Sequence, residues 1–203
     1  MYCFYNIVNI TDFSYSDYEY CLSLMTEERK SRVERLRFAD DRKRTTAGEL
    51  VAREMIASLC GVPRESIVFF RTEKGKPIAK DLPVYFSVSH SGEHVLCAVG
   101  DSPVGADIER IREVNEKLIE HVCTLEEMRF IDKESTSADD RMRLFFRFWT
   151  AKEAYFKRIG TGIFVPPDIN ITDIEISKSL TCFYYGNYAV SLASEVVPVN
   201  YSV

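Results

Sequence analysis

HVLCAVGDSPVGADIE, residues 94–109, decides how the 203-residue chain is organised. His94 to Val99 is a run of apolar and small residues that reads as a strand. Pro103 to Glu109 reads as another, with Val104 and Ile108 as its apolar members. Between them Asp101-Ser102-Pro103 breaks the pattern with turn-forming residues. A boundary there divides the chain into residues 1–101 and 102–203.

Upstream, Tyr85 to His90 is a strand joined to His94 through Ser91-Gly92, preceded by a loop at Glu73-Lys74-Gly75-Lys76-Pro77 and a strand from Ser66 to Arg71. A helix starts near Asp40 or Asp41, turns Leu50, Val51, Met55, Ile56 and Leu59 inward, and stops at Gly61 and Pro63. A charged helix from Met25 to Phe38 precedes it, and the N-terminal MYCFYNIVNI reads as a first strand. Downstream, helices are expected at Asn115 to Cys123 and Leu125 to Lys133, then a polar loop over Glu134 to Asp140. A long helix runs from Arg141 to Ile159, with Phe145, Phe148, Trp149 and Phe156 as its apolar stripe, stopped by Gly160-Thr161-Gly162. Strands are expected at Ile169 to Ile176, Leu180 to Tyr185 and Tyr188 to Ala193. Each half thus reads as helices followed by strands. No strong repeat links them: HVLCAVG and YAVSLAS share only apolar, small-residue strand character.

With 46% hydrophobic and 28% charged residues the composition is that of an ordinary globular chain. The net charge of −5 argues against a general nucleic-acid binder, and no apolar run is long enough to span a membrane. The six cysteines are scattered, without C-x-x-C pairs, which fits reduced thiols in a cytoplasmic protein. MYCFYNIVNI lacks the basic flank and small-residue cleavage site of a signal peptide.

Four constellations could carry chemistry. In Gly105-Ala106-Asp107-Ile108-Glu109, strand alternation puts both carboxylates on one face, as a magnesium site of hard oxygen ligands requires. Such pairs also arise on solvated strand ends. In FWTAKEAYFKRIGTG, Phe148 to Gly162, Glu153 and Lys157 stand four apart on one helix face. That spacing is equally a surface ion pair of about 0.2–0.5 kcal/mol, but these two border the apolar stripe. Between Arg29 and Arg44 lie eight Lys or Arg against three Asp or Glu, either a solvated basic face or an anion site at a helix start. Finally, Tyr85-Phe86-Ser87-Val88-Ser89-His90-Ser91-Gly92, with Gly75-Lys76-Pro77 upstream, suits a phosphate cradle. No G-x-S-x-G elbow supports a serine hydrolase.

Together these stretches resemble the 4′-phosphopantetheinyl transferases of the larger, single-chain surfactin-synthetase type. The family's G-x-D-x-E strand stands here as GADIE, and its W-[ST]-x-K-E-x-x-x-K helix as WTAKEAYFK. Arg29 and Arg32, Arg44 with Gly48, Gly75-Lys76-Pro77 and Ser89-His90-Ser91-Gly92 match the upstream pattern, although Arg stands at positions 29 and 32 where Lys is common in the family. The likeness spans roughly residues 25 to 165.

The resemblance implies an α+β fold of two similar halves in pseudo-twofold arrangement, each a small antiparallel-type sheet with packed helices, and a monomer. It also implies transfer of phosphopantetheine from coenzyme A to a serine of an apo acyl or peptidyl carrier protein, releasing 3′,5′-ADP. Asp107, Glu109 and Glu153 would hold magnesium, with Lys157 offsetting charge and Glu153 taking the serine proton, directly or by way of a metal-bound water. Arg29, Arg32, Arg44, Lys76, Pro77, Ser89 and His90 would hold the coenzyme, and Glu127 is a further acidic candidate beside the metal. The alternatives are a non-catalytic coenzyme A or nucleotide-binding module, for which Glu153 and Lys157 are dispensable, and a metal-dependent phosphohydrolase, which needs no carrier protein.

Overall fold

The computed structural model describes residues 1–161 and 169–201. Strand β1 (Cys3–Asn9) leads into helix α1 (Tyr15–Ser23), which the sequence reading passed over. Ser14 and Asp17 encode its start as a capping box: Ser14 Oγ accepts from the Asp17 N–H and Asp17 Oδ2 accepts from the Ser14 N–H. Helix α2 (Glu27–Glu34) is shorter than the expected Met25 to Phe38, because Thr26 caps it and Arg35 ends it. Helix α3 (Ala39–Cys60) runs to Gly61, whose φ of 65° closes it in the left-handed region. Strands β2 (Phe69–Arg71) and β3 (Pro77–Ala79) form a small hairpin, followed by β4 (Tyr85–Ser91) and β5 (His94–Gly100).

The second half repeats the plan. Strand β6 (Gly105–Arg110) is followed by helices α4 (Glu116–Val122), α5 (Leu125–Glu134) and α6 (Ala138–Ile159). Then come α7 (Ile174–Ser177), β7 (Leu180–Tyr185), β8 (Tyr188–Ala193) and a short β9 (Val199–Asn200). The strand expected over Ile169 to Ile176 is not formed. Asn170 Oδ1 accepts from the N–H and hydroxyl of Thr172, and the Ile171 N–H goes to a glutamate side chain instead of a ladder. Gly162, expected as a second stop glycine, lies outside the described residues.

One sheet has the order β4-β5-β1-β9 and the other β6-β8-β7. Matching β1, α3, β4 and β5 to β6, α6, β7 and β8 makes the orders β4-β5-β1 and β7-β8-β6 equivalent, all pairs antiparallel. Both long helices have 22 residues, begin Ala-Asp-Asp-Arg and end on a left-handed glycine. The matched hairpins β4–β5 and β7–β8 each turn on a glycine of positive φ, Gly92 at 54° and Gly186 at 56°. A repeat is therefore present in the sequence after all, confined to helix starts and turns. Comparing the strands could not reveal it, because a strand needs only alternation.

Alternation also sets the layers. Leu96 and Ala98 of β5, with Cys3 of β1, pack against Ala106, Ile108, Val190 and Leu192 of the other sheet, so the two sheets meet face to face. The opposite face of β5 carries Cys97 and Val99 against Met55 and Ile56 of α3. Helix α6 covers the outer face of the second sheet, with Phe145, Phe148 and Ala151 in a core that includes Ala189 of β8. A fully buried phenylalanine such as Phe145 contributes about 1.5–3 kcal/mol. None of the described helices is long and apolar enough to cross a membrane.

Candidate active site

In β6 the residues alternate between two environments. Ala106 and Ile108 point between the sheets, so Asp107 and Glu109 point the other way, toward α6. On α6, Glu153 and Lys157 lie one turn apart on the side that meets β6. Lys157 Nζ donates to Asp107 Oδ1 at 2.6 Å, to Ser89 Oγ at 3.0 Å and to the Ala106 carbonyl at 3.2 Å. The lysine thus pairs across the site with Asp107.

The serines of β4 join the halves. Their two-residue spacing matches the spacing of free N–H groups along the outer edge of β6. Ser87 Oγ accepts from the Ala106 N–H at 3.0 Å and Ser91 Oγ from the Arg110 N–H at 3.1 Å. Ser89 donates to Asp107 Oδ1 and Ser91 to Glu109 Oε2, each at 2.7 Å. Asp107 is 4% exposed, so it does not lie on a solvated strand end.

Three carboxylates share this space. Burial pushes the Glu153 carboxyl above its ordinary value, and Asp107 and Glu109 push it further while Lys157 opposes. Burial also raises Glu109, with Asp107 adding to the shift and the Ser91 hydroxyl opposing it. Asp107 Oδ2 is buried without any hydrogen-bond partner. Among the described residues no three His, Cys, Asp or Glu side chains form a ready-made cation cage. Magnesium does not need one, since it takes one or two carboxylates and leaves its other positions to water and substrate phosphate. An orphaned carboxylate oxygen beside two mutually repelling carboxyls fits such an ion.

The family model described as the 4′-phosphopantetheinyl transferase superfamily matches residues 103–198. A second, described as 4′-phosphopantetheinyl transferase, N-terminal, matches residues 12–101. The 4′-phosphopantetheinyl transferase gsp of Aneurinibacillus migulanus is 34% identical over 170 residues, covering 84% of this chain and 70% of that protein. The chain belongs to the 4′-phosphopantetheinyl transferase superfamily. The transferase psf-1 of Bacillus pumilus is 37% identical across 67% of this chain and 58% of its own length. Sfp of Bacillus subtilis is 28% identical across 81% of this chain and 73% of its own.

Within this phosphopantetheinyl transferase the other expected residues fall into two groups. Arg44 and His90 come together. Arg44 Nη1 donates to the Gly92 carbonyl at 2.7 Å and Nη2 pairs with Asp41 at 2.5 Å, which ties the start of α3 to the β4–β5 turn. His90 is exposed at the end of the β4 face whose Phe86 and Val88 pack against α3. Partial loss of solvent, then Arg44 and Lys157, hold its pKa below the ordinary imidazole value. Asp40 and Asp41, in the first turn of α3, offset the clash between its arginines and the helix dipole.

The rest have partners that sequence reading did not foresee. Lys76 Nζ donates to the carbonyls of Val104, Lys157 and Arg158, so it ties the end of α6 to the first half, and burial lowers its pKa. Pro77 opens β3 beside it. Ser89 is buried, its hydroxyl bonded to Asp107 and Lys157. Arg29 pairs with Glu49 at 3.0 Å, and exposed Arg32 reaches back to Glu28 at 3.3 Å. Burial, and then Arg29 and Arg32, lower the pKa of Arg71, so three guanidinium groups crowd one surface. Arg71 was not expected there, and a lone arginine at a strand end carries no signal that could have found it.

Glu127 is corrected as a metal candidate. It is fully buried and pairs with Lys152 at 2.6 Å, and its oxygens accept from the N–H groups of Thr124 and Ile171. Thr124 and Glu127 form a capping box for α5, a role that T-x-x-E encodes locally.

Proposed function

We propose that this chain moves 4′-phosphopantetheine from coenzyme A to a serine of an apo acyl or peptidyl carrier protein, releasing 3′,5′-ADP. The observation that carries the reading is the meeting of Asp107, Glu109, Glu153 and Lys157 between β6 and α6, with Asp107 Oδ2 unpartnered. Magnesium, held by Asp107, Glu109 and Glu153, would neutralise the coenzyme's pyrophosphate as charge builds on the leaving group. Lys157 adds a point cation at the same place. Arg44 and His90 hold the nucleotide phosphates, and the surface of Arg29, Arg32 and Arg71 adds positive charge to the first half. Glu153 accepts the proton of the carrier serine as its oxygen bonds to the β-phosphorus and the bond to the departing ADP breaks.

The halves 1–101 and 102–203 act as two domains, the first supplying most coenzyme contacts and the second the metal ligands and catalytic helix. All six cysteines are free thiols, which supports a reducing, cytoplasmic setting. The internal twofold supports a monomer.

Intact-mass analysis of an apo carrier protein incubated with this chain, coenzyme A and magnesium tests the reading. The carrier gains one phosphopantetheine, and Glu153→Gln or Lys157→Ala slows the gain by orders of magnitude while melting like the parent. Each tenfold loss corresponds to about 1.4 kcal/mol of barrier, far beyond a surface ion pair. Near-parent rates in both variants would remove Glu153 and Lys157 from the chemistry, and a carrier that gains nothing even from the parent chain would leave only a binding module. Consumption of coenzyme A without any carrier would point to a phosphohydrolase.

A further inference from the structure

The turn between β4 and β5 is held from three sides. Arg44 donates to the Gly92 carbonyl, and the Ile10 N–H donates to the Glu93 carbonyl at 2.8 Å, both from the first half. The third hold comes from the second half: the Glu93 N–H donates to the hydroxyl of Tyr188 on β8, at 3.3 Å. Gly92 has φ 54°, and a Cβ there would lie 2.5 Å from that hydroxyl and 3.3 Å from Tyr188 Cζ. The glycine thus serves both the turn conformation and the approach of the tyrosine. The Tyr188 ring is buried and fixed by the edge of His94, with centroids 4.6 Å apart.

His90 stands two residues before Gly92, and Arg44 spends one guanidinium nitrogen on the Gly92 carbonyl. The placement of both groups therefore depends on this turn. We infer that Tyr188 is a positioning residue for coenzyme A: its hydroxyl, reaching across from the second half, sets the turn against which Arg44 and His90 present themselves to the 3′-phosphate. The inference rests on the proposed role of Arg44 and His90. The phosphate grip is then complete only when the halves are docked, which links nucleotide binding to the assembly of the carboxylate site.

Tyr188→Phe removes the hydroxyl and keeps the ring. By calorimetric titration the variant binds coenzyme A roughly three- to tenfold more weakly, the range of one net hydrogen bond. Dephospho-coenzyme A, lacking the 3′-phosphate, loses less, and the kinetic defect appears in KM for coenzyme A and not in kcat. A purely structural tyrosine would weaken both nucleotides equally, and that result, or no loss at all, overturns the inference. Gly92→Ala gives a second reading: its methyl strikes the hydroxyl, so the Gly92→Ala, Tyr188→Phe double variant binds coenzyme A more tightly than Gly92→Ala alone. A double variant weaker than either single one also counts against it. Arg44→Ala separates the premise. Selective loss of coenzyme A there without selective loss in Tyr188→Phe defeats the inference alone, whereas no selectivity in Arg44→Ala defeats the phosphate assignment and the inference with it.

Discussion

Gly105 shows at the scale of one residue why the acidic strand begins with glycine. A Cβ on it would lie 1.8 Å from the Ala154 carbonyl oxygen and 2.6 Å from the Arg158 nitrogen, so the backbone of α6 rests directly on β6. That contact lets Lys157 reach Asp107 and Ala106. Gly105→Ala must push the helix away, at about 1–3 kcal/mol of overpacking or more. A lower melting temperature together with slower transfer is expected, and a variant that melts and turns over like the parent would contradict the geometry. Glu109→Ala is the cleaner test of the carboxylates, since Asp107 is buried and paired while Glu109 is only half-buried. It should abolish carrier modification with the melt retained, whatever the magnesium concentration. His94 offers a test by pH. Burial holds its pKa below the ordinary value of about 6.5, so the unfolded chain takes up a proton first as pH falls. Its contribution to stability is complete above that pH and is lost through the window below it. His94→Gln should therefore lose less melting temperature than the parent between neutral and mildly acid pH.

At the scale of elements, two buried cations hold the helices to their loops. Arg53 of α3 pairs with Glu49 and donates to the carbonyls of Leu24 and Ile67. Lys152, at the equivalent place on α6, pairs with Glu127 and donates to the carbonyl of Val122. Leu24 closes α1 and Val122 is the last residue of α4, so each long helix pins the end of the corresponding short one. Removing one partner of such a pair costs about 3–5 kcal/mol, because the other charge stays buried alone. Lys152→Met should lower the unfolding free energy read from a urea titration by that margin. Glu127→Gln should do likewise, and a Glu127→Gln protein of parental stability with no activity would return Glu127 to the chemistry. The lysine of WTAKE was readable only as part of a motif; its burial depends on α5, which is distant in sequence.

At the scale of the molecule, the two sheets cover each other's apolar faces, which supports the proposed monomer. Sedimentation should show one species of 23.4 kDa at micromolar concentration, and a concentration-dependent dimer would remove the pseudo-dimer reading. Local chemistry was enough to read much of this fold from the sequence: the glycine stops at Gly61 and Gly160, the apolar stripe of α6, the hairpin at Ser91-Gly92 and the shared face of Asp107 and Glu109. These depend on residues within a few positions of one another, where periodicity and backbone preference act. What only the tertiary structure decided is which of these surfaces meet. Lys157 facing Asp107, the serines of β4 stitched to the edge of β6, Lys76 bound to the end of α6, and Tyr188 against Gly92 all join residues 18 or more positions apart. Hydrogen-bonding side chains are satisfied by whatever polar group packing brings near, and a one-dimensional pattern does not contain that neighbour.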